Sequence, residues 1–249
     1  MKPLSSNREV VTFTGISNAE FLEQYAATGR IGLAGGALLI DRVIRRAERH
    51  VDDAGRWSDW SHAFIIGERR VDGHYWVLES NLQMHRKRYL LGVQENRVTM
   101  YHDEVAYGTL AVLDLGLSEQ QVKALLSESL ELMANKTKYS LRELFGTLLA
   151  LRRPQLRGQE NKMARDQSLY CSAFVQHVFR KIGIDLSPGV DVKNTTPEDI
   201  ARTPVPHTAY VLHRDLGESK VKEAAARLKE RVRARVEKVR QLRARIAMA

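Results

Sequence analysis

The sequence predicts an α+β fold, an antiparallel sheet packed against helices, with a long basic C-terminal helix appended. Three observations carry this. Strand-like segments follow one another closely between residues 61 and 115. Capping boxes, in which a Ser is followed three residues later by Glu or Gln, open apolar stripes of helical spacing on either side of them. From 218 to 249, apolar residues recur every three or four positions among strong helix formers. With 249 residues, 43% apolar and 28% charged, the composition excludes collagen-like, low-complexity and disulfide-scaffold proteins and supports one sizeable core.

Val10 to Thr14 reads as a short strand, and Ser17-Asn18-Ala19-Glu20 as a capping box opening a helix that ends near Gly29. Gly32, Gly35 and Gly36 match neither nucleotide-binding fingerprint, so they are expected to form a turn before a helix. That helix has Leu39, Ile40, Val43, Ile44 and Ala47 on one face and Arg42, Arg45, Arg46 and Arg49 on the other. Strands are expected over Ser61 to Gly67, Tyr75 to Ser80, Val98 to Tyr101 and Thr109 to Leu115. Ser118 to Gln121 caps a helix whose buried stripe is Val122, Leu125, Leu126, Leu130 and Met133, and Ser140 to Glu143 opens another. Arg152 to Gln167 is polar and aperiodic, a loop leading into a helix that starts at Cys171 and is stopped by Gly183. Thr196-Pro197 is an N-cap with Pro at the first helical position, and Thr208 to His213 a closing strand.

The formal charge of +9 is concentrated: residues 218–249 hold eleven Lys/Arg and four Asp/Glu, leaving the body nearly neutral. Two divisions follow, a body over 1–217 and a basic amphipathic helix over 218–249. The tail suits self-association or an anionic surface, with no specific nucleic-acid partner expected. Met1 to Glu9 has no apolar run, and Ile31 to Ile40 is about half the roughly 20 residues of a bilayer span. The expectation is therefore a cytoplasmic protein, or one exported without such a signal, and no transmembrane segment.

A single cysteine, Cys171, excludes an intramolecular disulfide and a multi-cysteine metal site. It lies in the first turn of its helix, where free backbone N–H groups and the helix dipole favour a thiolate and offer donors to an oxyanion. The bland reading is a packed cysteine sharing the stripe of Phe174, Val175 and Val178. His62 begins one strand and Glu79 ends another. If residues 68–73 form the hairpin loop, His62 faces Glu79 directly; a tight turn at Asp72-Gly73 would oppose His62 to Gln83 instead. No histidine cluster has metal-ligand spacing, so neither a metal nor an organic cofactor is expected.

Ser61-His62-Ala63-Phe64-Ile65-Ile66-Gly67, Val77-Leu78-Glu79 and Tyr170-Cys171-Ser172-Ala173-Phe174-Val175, in that order, resemble the circularly permuted branch of the NlpC-type papain-like cysteine hydrolases, which includes lecithin retinol acyltransferase-like enzymes. Thr195 to Ala201 resembles the segment that follows the family's cysteine helix. The likeness spans roughly residues 30 to 215; Ala63 stands where the family has valine, and the basic tail is a departure. The resemblance implies a permuted papain-like fold with Cys171 as nucleophile, His62 as general acid/base, Glu79 as its orienting partner, and the Cys171 N–H, with Tyr170, as oxyanion donors. It implies a peptide or acyl-lipid substrate: an amidase or peptidase acting on bacterial cell-wall peptides, or a lipid acyltransferase or thioesterase. The alternative from a different class is a non-enzymatic scaffold binding nucleic acid or anionic membrane through its tail.

Overall fold

The computed structural model describes residues 8–51, 54–85, 88–137, 146–147, 150–152, 154–159 and 169–214. Contacts group Met1–His213 into one unit and Arg214–Ala249 into another. The expected helices opening at Ser140 and over 218–249 lie outside the described residues, as does most of the expected loop over 152–167, of which Pro154–Leu156 form a 3-10 turn.

The described strands are β1 (Arg8–Phe13), β2 (Ile31–Gly36), β3 (His62–Arg69), β4 (Tyr75–His85), β5 (Arg88–Arg97), β6 (Tyr107–Asp114) and β7 (His207–His213). They form one α+β sheet in the order β1-β7-β6-β2-β3-β4-β5. It is mixed rather than wholly antiparallel, because β1 runs parallel to β7. The helices are α1 (Asn18–Tyr25), α2 (Leu39–Ala47), α3 (Glu119–Ala134), α4 (Cys171–Lys181) and α5 (Pro197–Ala201). Capping boxes stand at Ser17, Ser118 and Thr196, the last with Pro197 at the helix start.

Both faces of the sheet are covered. Ala63, Ile65 and Leu78 pack with Phe174, Val175 and Val178 of α4, while Phe64, Ile66 and Val77 pack with Phe21 and Leu22 of α1 and with Tyr101. A strand buried on both sides needs an unbroken apolar run rather than alternation, which is what Ala63 to Ile66 provides.

Three expectations are corrected. Ile31–Gly36 is no turn but a fully buried central strand. Glycine there permits close approach, since a Cβ at Gly32 would stand 2.1 Å from the Phe64 ring and one at Gly35 2.3 Å from the Asp59 carbonyl. Val98–His102 is a 3-10 helix, not a strand. The strand preceding it, β5, escaped notice because Gly92 and the charged Glu95 and Arg97 break its pattern. The amphipathic stripes are also leaner than expected: Ile40, Val43 and Leu130 remain 40%, 43% and 44% exposed, whereas Ile44 and Leu125 are buried.

Candidate active site

His62 opens β3 and Glu79 lies in β4. The observed pairs Ile65↔Leu78 and Ile66↔Val77 are shifted by two residues from the direct opposition expected, with an irregularity before Arg69↔Tyr75. Continued to the strand end, this register sets His62 opposite Asn81 and Glu79 opposite Phe64. A shift of two preserves the face, so His62 and Glu79 are diagonal neighbours, within reach of long side chains. His62 Nε2 lies 2.5 Å from Glu79 Oε2.

Glu79 is fully buried and well supplied with donors. Tyr101 Oη donates to Oε2 at 2.7 Å, Asn96 Nδ2 to Oε1 at 2.6 Å, and Asn81 Nδ2 to Oε2 at 3.3 Å. Burial alone would push this carboxyl up, but His62, Tyr101 and Asn96 together hold it below the usual carboxylate range. Tyr101 also stacks on Phe64, ring centroids 4.3 Å apart, and His62 lies against both rings. The 3-10 turn at Val98–His102 thus aims a buried phenol at the carboxylate. Neither Asn96 nor Tyr101 was singled out from sequence, since the elements carrying them were misread; the signal available was an Asn two positions from a cross-strand partner of Glu79.

Cys171 is the first residue of α4 and is buried. Its cap residue, Tyr170, makes no side-chain capping bond, so the first-turn N–H groups are not satisfied from that position. His62 and Cys171 are close enough to act on each other electrostatically. With Nε2 held by Glu79, Nδ1 is the ring nitrogen left for a further partner. Burial works against a charged imidazole, but the charges of Cys171 and Glu79 and the hydrogen bond to Glu79 outweigh it and raise His62 to about 10. The His62 side chain keeps 14% of its surface exposed to solvent.

The site is tied across elements by hydroxyls. Ser80 Oγ donates to the Leu169 carbonyl at 2.5 Å, joining the strand of Glu79 to the entry of α4. Ser172 Oγ donates to the Thr195 carbonyl at 2.8 Å, and Ser61 Oγ accepts from the Gly36 N–H at 2.9 Å. Tyr170 departs from its expected role. Its hydroxyl donates to the Thr195 carbonyl at 2.7 Å and accepts from Thr147 at 2.9 Å, so its single proton is committed to the chain around residue 195 rather than to an oxyanion.

Two further carboxyls border the site. Asp41 caps α2 by accepting the Leu38 N–H at 2.9 Å, lies within the electrostatic reach of His62, and is raised chiefly by burial. Glu48 is 1% exposed, and neither of its oxygens has a well-formed hydrogen bond among the described residues. Ser58 lies beside it but donates to Glu198 Oε2 at 2.7 Å. Burial, and then the nearby Glu198, Asp199 and Cys171, push Glu48 well above the ordinary carboxyl range. Among the described residues no cluster of three or more His, Cys, Asp or Glu could hold a metal ion. His177 is paired with Glu128 at 3.1 Å.

No protein-family model and no curated protein matches the chain. Among solved structures, it is similar to the metalloprotein yiiX from Escherichia coli O157:H7, at 16% identity and a TM-score of 0.48, over 74% of this chain and 96% of that one. Among the described residues no helix is long and apolar enough to cross a membrane.

Proposed function

We propose that the protein is a cysteine hydrolase of permuted papain-like design, acting on an amide through an acyl-enzyme. The observation that carries this reading is one imidazole held by a buried carboxylate, Glu79 Oε2 at 2.5 Å from Nε2, within electrostatic reach of the buried Cys171 at the start of α4. A merely packed cysteine does not require a histidine held in one orientation by a fully buried carboxylate that itself takes three further hydrogen bonds.

The chemistry follows from the placement. The Cys171 sulfur attacks the substrate carbonyl carbon, forming a C–S bond while the carbonyl π pair moves onto oxygen. That oxyanion meets the Cys171 backbone N–H, free at the first turn of α4. His62 then passes its proton to the leaving nitrogen as the C–N bond breaks, leaving a thioester. Neutral His62 takes a proton from water, hydroxide adds to the thioester, and collapse returns the sulfur and releases the acid. Glu79 stays ionised throughout, holding the ring and stabilising its charged form. A peptide amide is the favoured substrate class.

The test is intact-mass analysis after treatment with a thiol-directed electrophile at pH 6.5. As Cys171 is the only cysteine, a single adduct reports on it. The expected result is rapid single labelling, at least about tenfold slower in His62→Ala. Equal rates in the two proteins would remove the basis for this function.

A further inference from the structure

A cavity of about 600 Å³ lies beside β1 and β7, at the far edge of the sheet from β5. Its floor is built from buried side chains, Ser58, Trp60, Glu198 and Val211, and Trp57 stands half-exposed over it. The loop that supplies Ser58 and Trp60 runs directly into Ser61 and His62. Glu198 lines the cavity and, like Cys171, acts electrostatically on the buried Glu48.

The charges of the lining do not cancel. Glu198 is answered by Arg202 Nε at 2.6 Å, and Asp59 by Arg45 at 3.7 Å. The exposed side chain of Arg8, at the start of the edge strand, has no ion pair or hydrogen bond among the described residues; it feels Glu198 attractively and Arg202 repulsively. Two guanidiniums that repel each other across a cavity are stabilised by an anion between them, and the planar fork of Arg matches an oxyacid with two oxygens.

From this arrangement we infer that the cavity is an anion-binding subsite, in which Arg8 and Arg202 take a carboxylate or phosphate of the substrate while Trp57 and Trp60 pack on the group that bears it. This rests on the hydrolase reading for its role, though the binding itself does not require turnover. A carboxylate source would be a peptide with a free acid; a phosphate source would be a lipid headgroup or a phosphorylated sugar.

The experiment is titration of the full chain with N-acetylglycine and, separately, inorganic phosphate, watching the indole N–H signals of its three tryptophans by NMR. Signals of Trp57 and Trp60 should shift saturably while that of Trp76, on β4, stays still. The stronger of the two ligands identifies the source, and neutral N-acetylglycinamide should shift neither. Arg8→Gln should weaken binding about ten- to a hundredfold, the effect of losing a charge-assisted pair, with Arg8→Lys between the two. Labelling of Cys171 should be unchanged in both variants, since Arg8 is outside the triad. No saturable shift with either anion, or shifts indifferent to Arg8→Gln, would overturn the subsite. Anion binding in a protein whose Cys171 is inert to His62→Ala would instead leave the subsite standing and remove the hydrolase.

Discussion

Glu79 and Glu48 are both buried carboxyls near one thiol, and their surroundings push them to opposite protonation states. Glu79 accepts hydrogen bonds from His62, Tyr101, Asn96 and Asn81 and is held below the ordinary carboxyl range; Glu48 has no well-formed donor among the described residues and neighbours of its own sign, and is pushed well above it. Glu79→Gln therefore sets an amide N–H₂ against groups that already donate. It should lower kcat by about a hundredfold or more with little change in KM, and steady-state kinetics on a peptide amide would check the split. Tyr101→Phe deletes one donor and keeps the stacked ring, so a smaller loss is expected, with stability down by about 1.5–3 kcal/mol in denaturant titration. Glu48→Gln should do the reverse. An amide cannot ionise beside Glu198 and Asp199, so at pH 7 the variant should be more stable by on the order of 1 kcal/mol.

At the level of elements, what the sequence made legible was the type and local setting of residues whose chemistry is unusual. A lone cysteine at a helix start, a histidine at a strand start and a Glu on the neighbouring strand survive errors of register, because a shift of two keeps both side chains on one face. The supporting residues were not legible. Asn96 sits in a strand broken in pattern by Gly92, and Tyr101 in a short helix that its apolar spacing disguises as a strand. Nor did Ile31–Gly36 read as a strand, since three glycines in six residues signal a turn unless one knows that an aromatic ring lies across them. That explanation is testable. Gly32→Ala should force Phe64 off its stack with Tyr101, costing about 1–3 kcal/mol in a thermal or chemical melt, and should slow Cys171 labelling as well, because Tyr101 supports Glu79. An Ala variant of ordinary stability and labelling would mean that the ring has room to move.

For the whole molecule, the sheet is a scaffold with two packed faces that carries His62 and Glu79, and its stability should report the charges buried there. The sign is set group by group. Glu79, lowered from its ordinary 4.5, contributes stability above that value that is lost as pH falls through its depressed value. His62, raised from 6.5 to about 10, contributes stability that is complete below 6.5 and drains away as pH rises toward 10. Glu48 is raised from 4.5, so above that pH the unfolded chain releases a proton the folded chain keeps, and stability again declines as pH rises. The three together place the maximum near pH 4.5, where the gain from Glu79 is nearly complete and the losses from Glu48 and then His62 begin, on the acid side of neutrality despite a sequence pI of about 9.7. Denaturant titrations from pH 4 to 9 should trace that curve in wild type. In Glu48→Gln the alkaline limb should be shallower, and in His62→Ala shallower again above pH 6.5, while the acid limb of Glu48→Gln keeps its slope because Glu79 is untouched. A maximum at pH 8 or above, or a Glu48→Gln curve parallel to wild type at every pH, would show that Glu48 is ionised in the folded protein and that the charge arrangement assigned to this site is wrong.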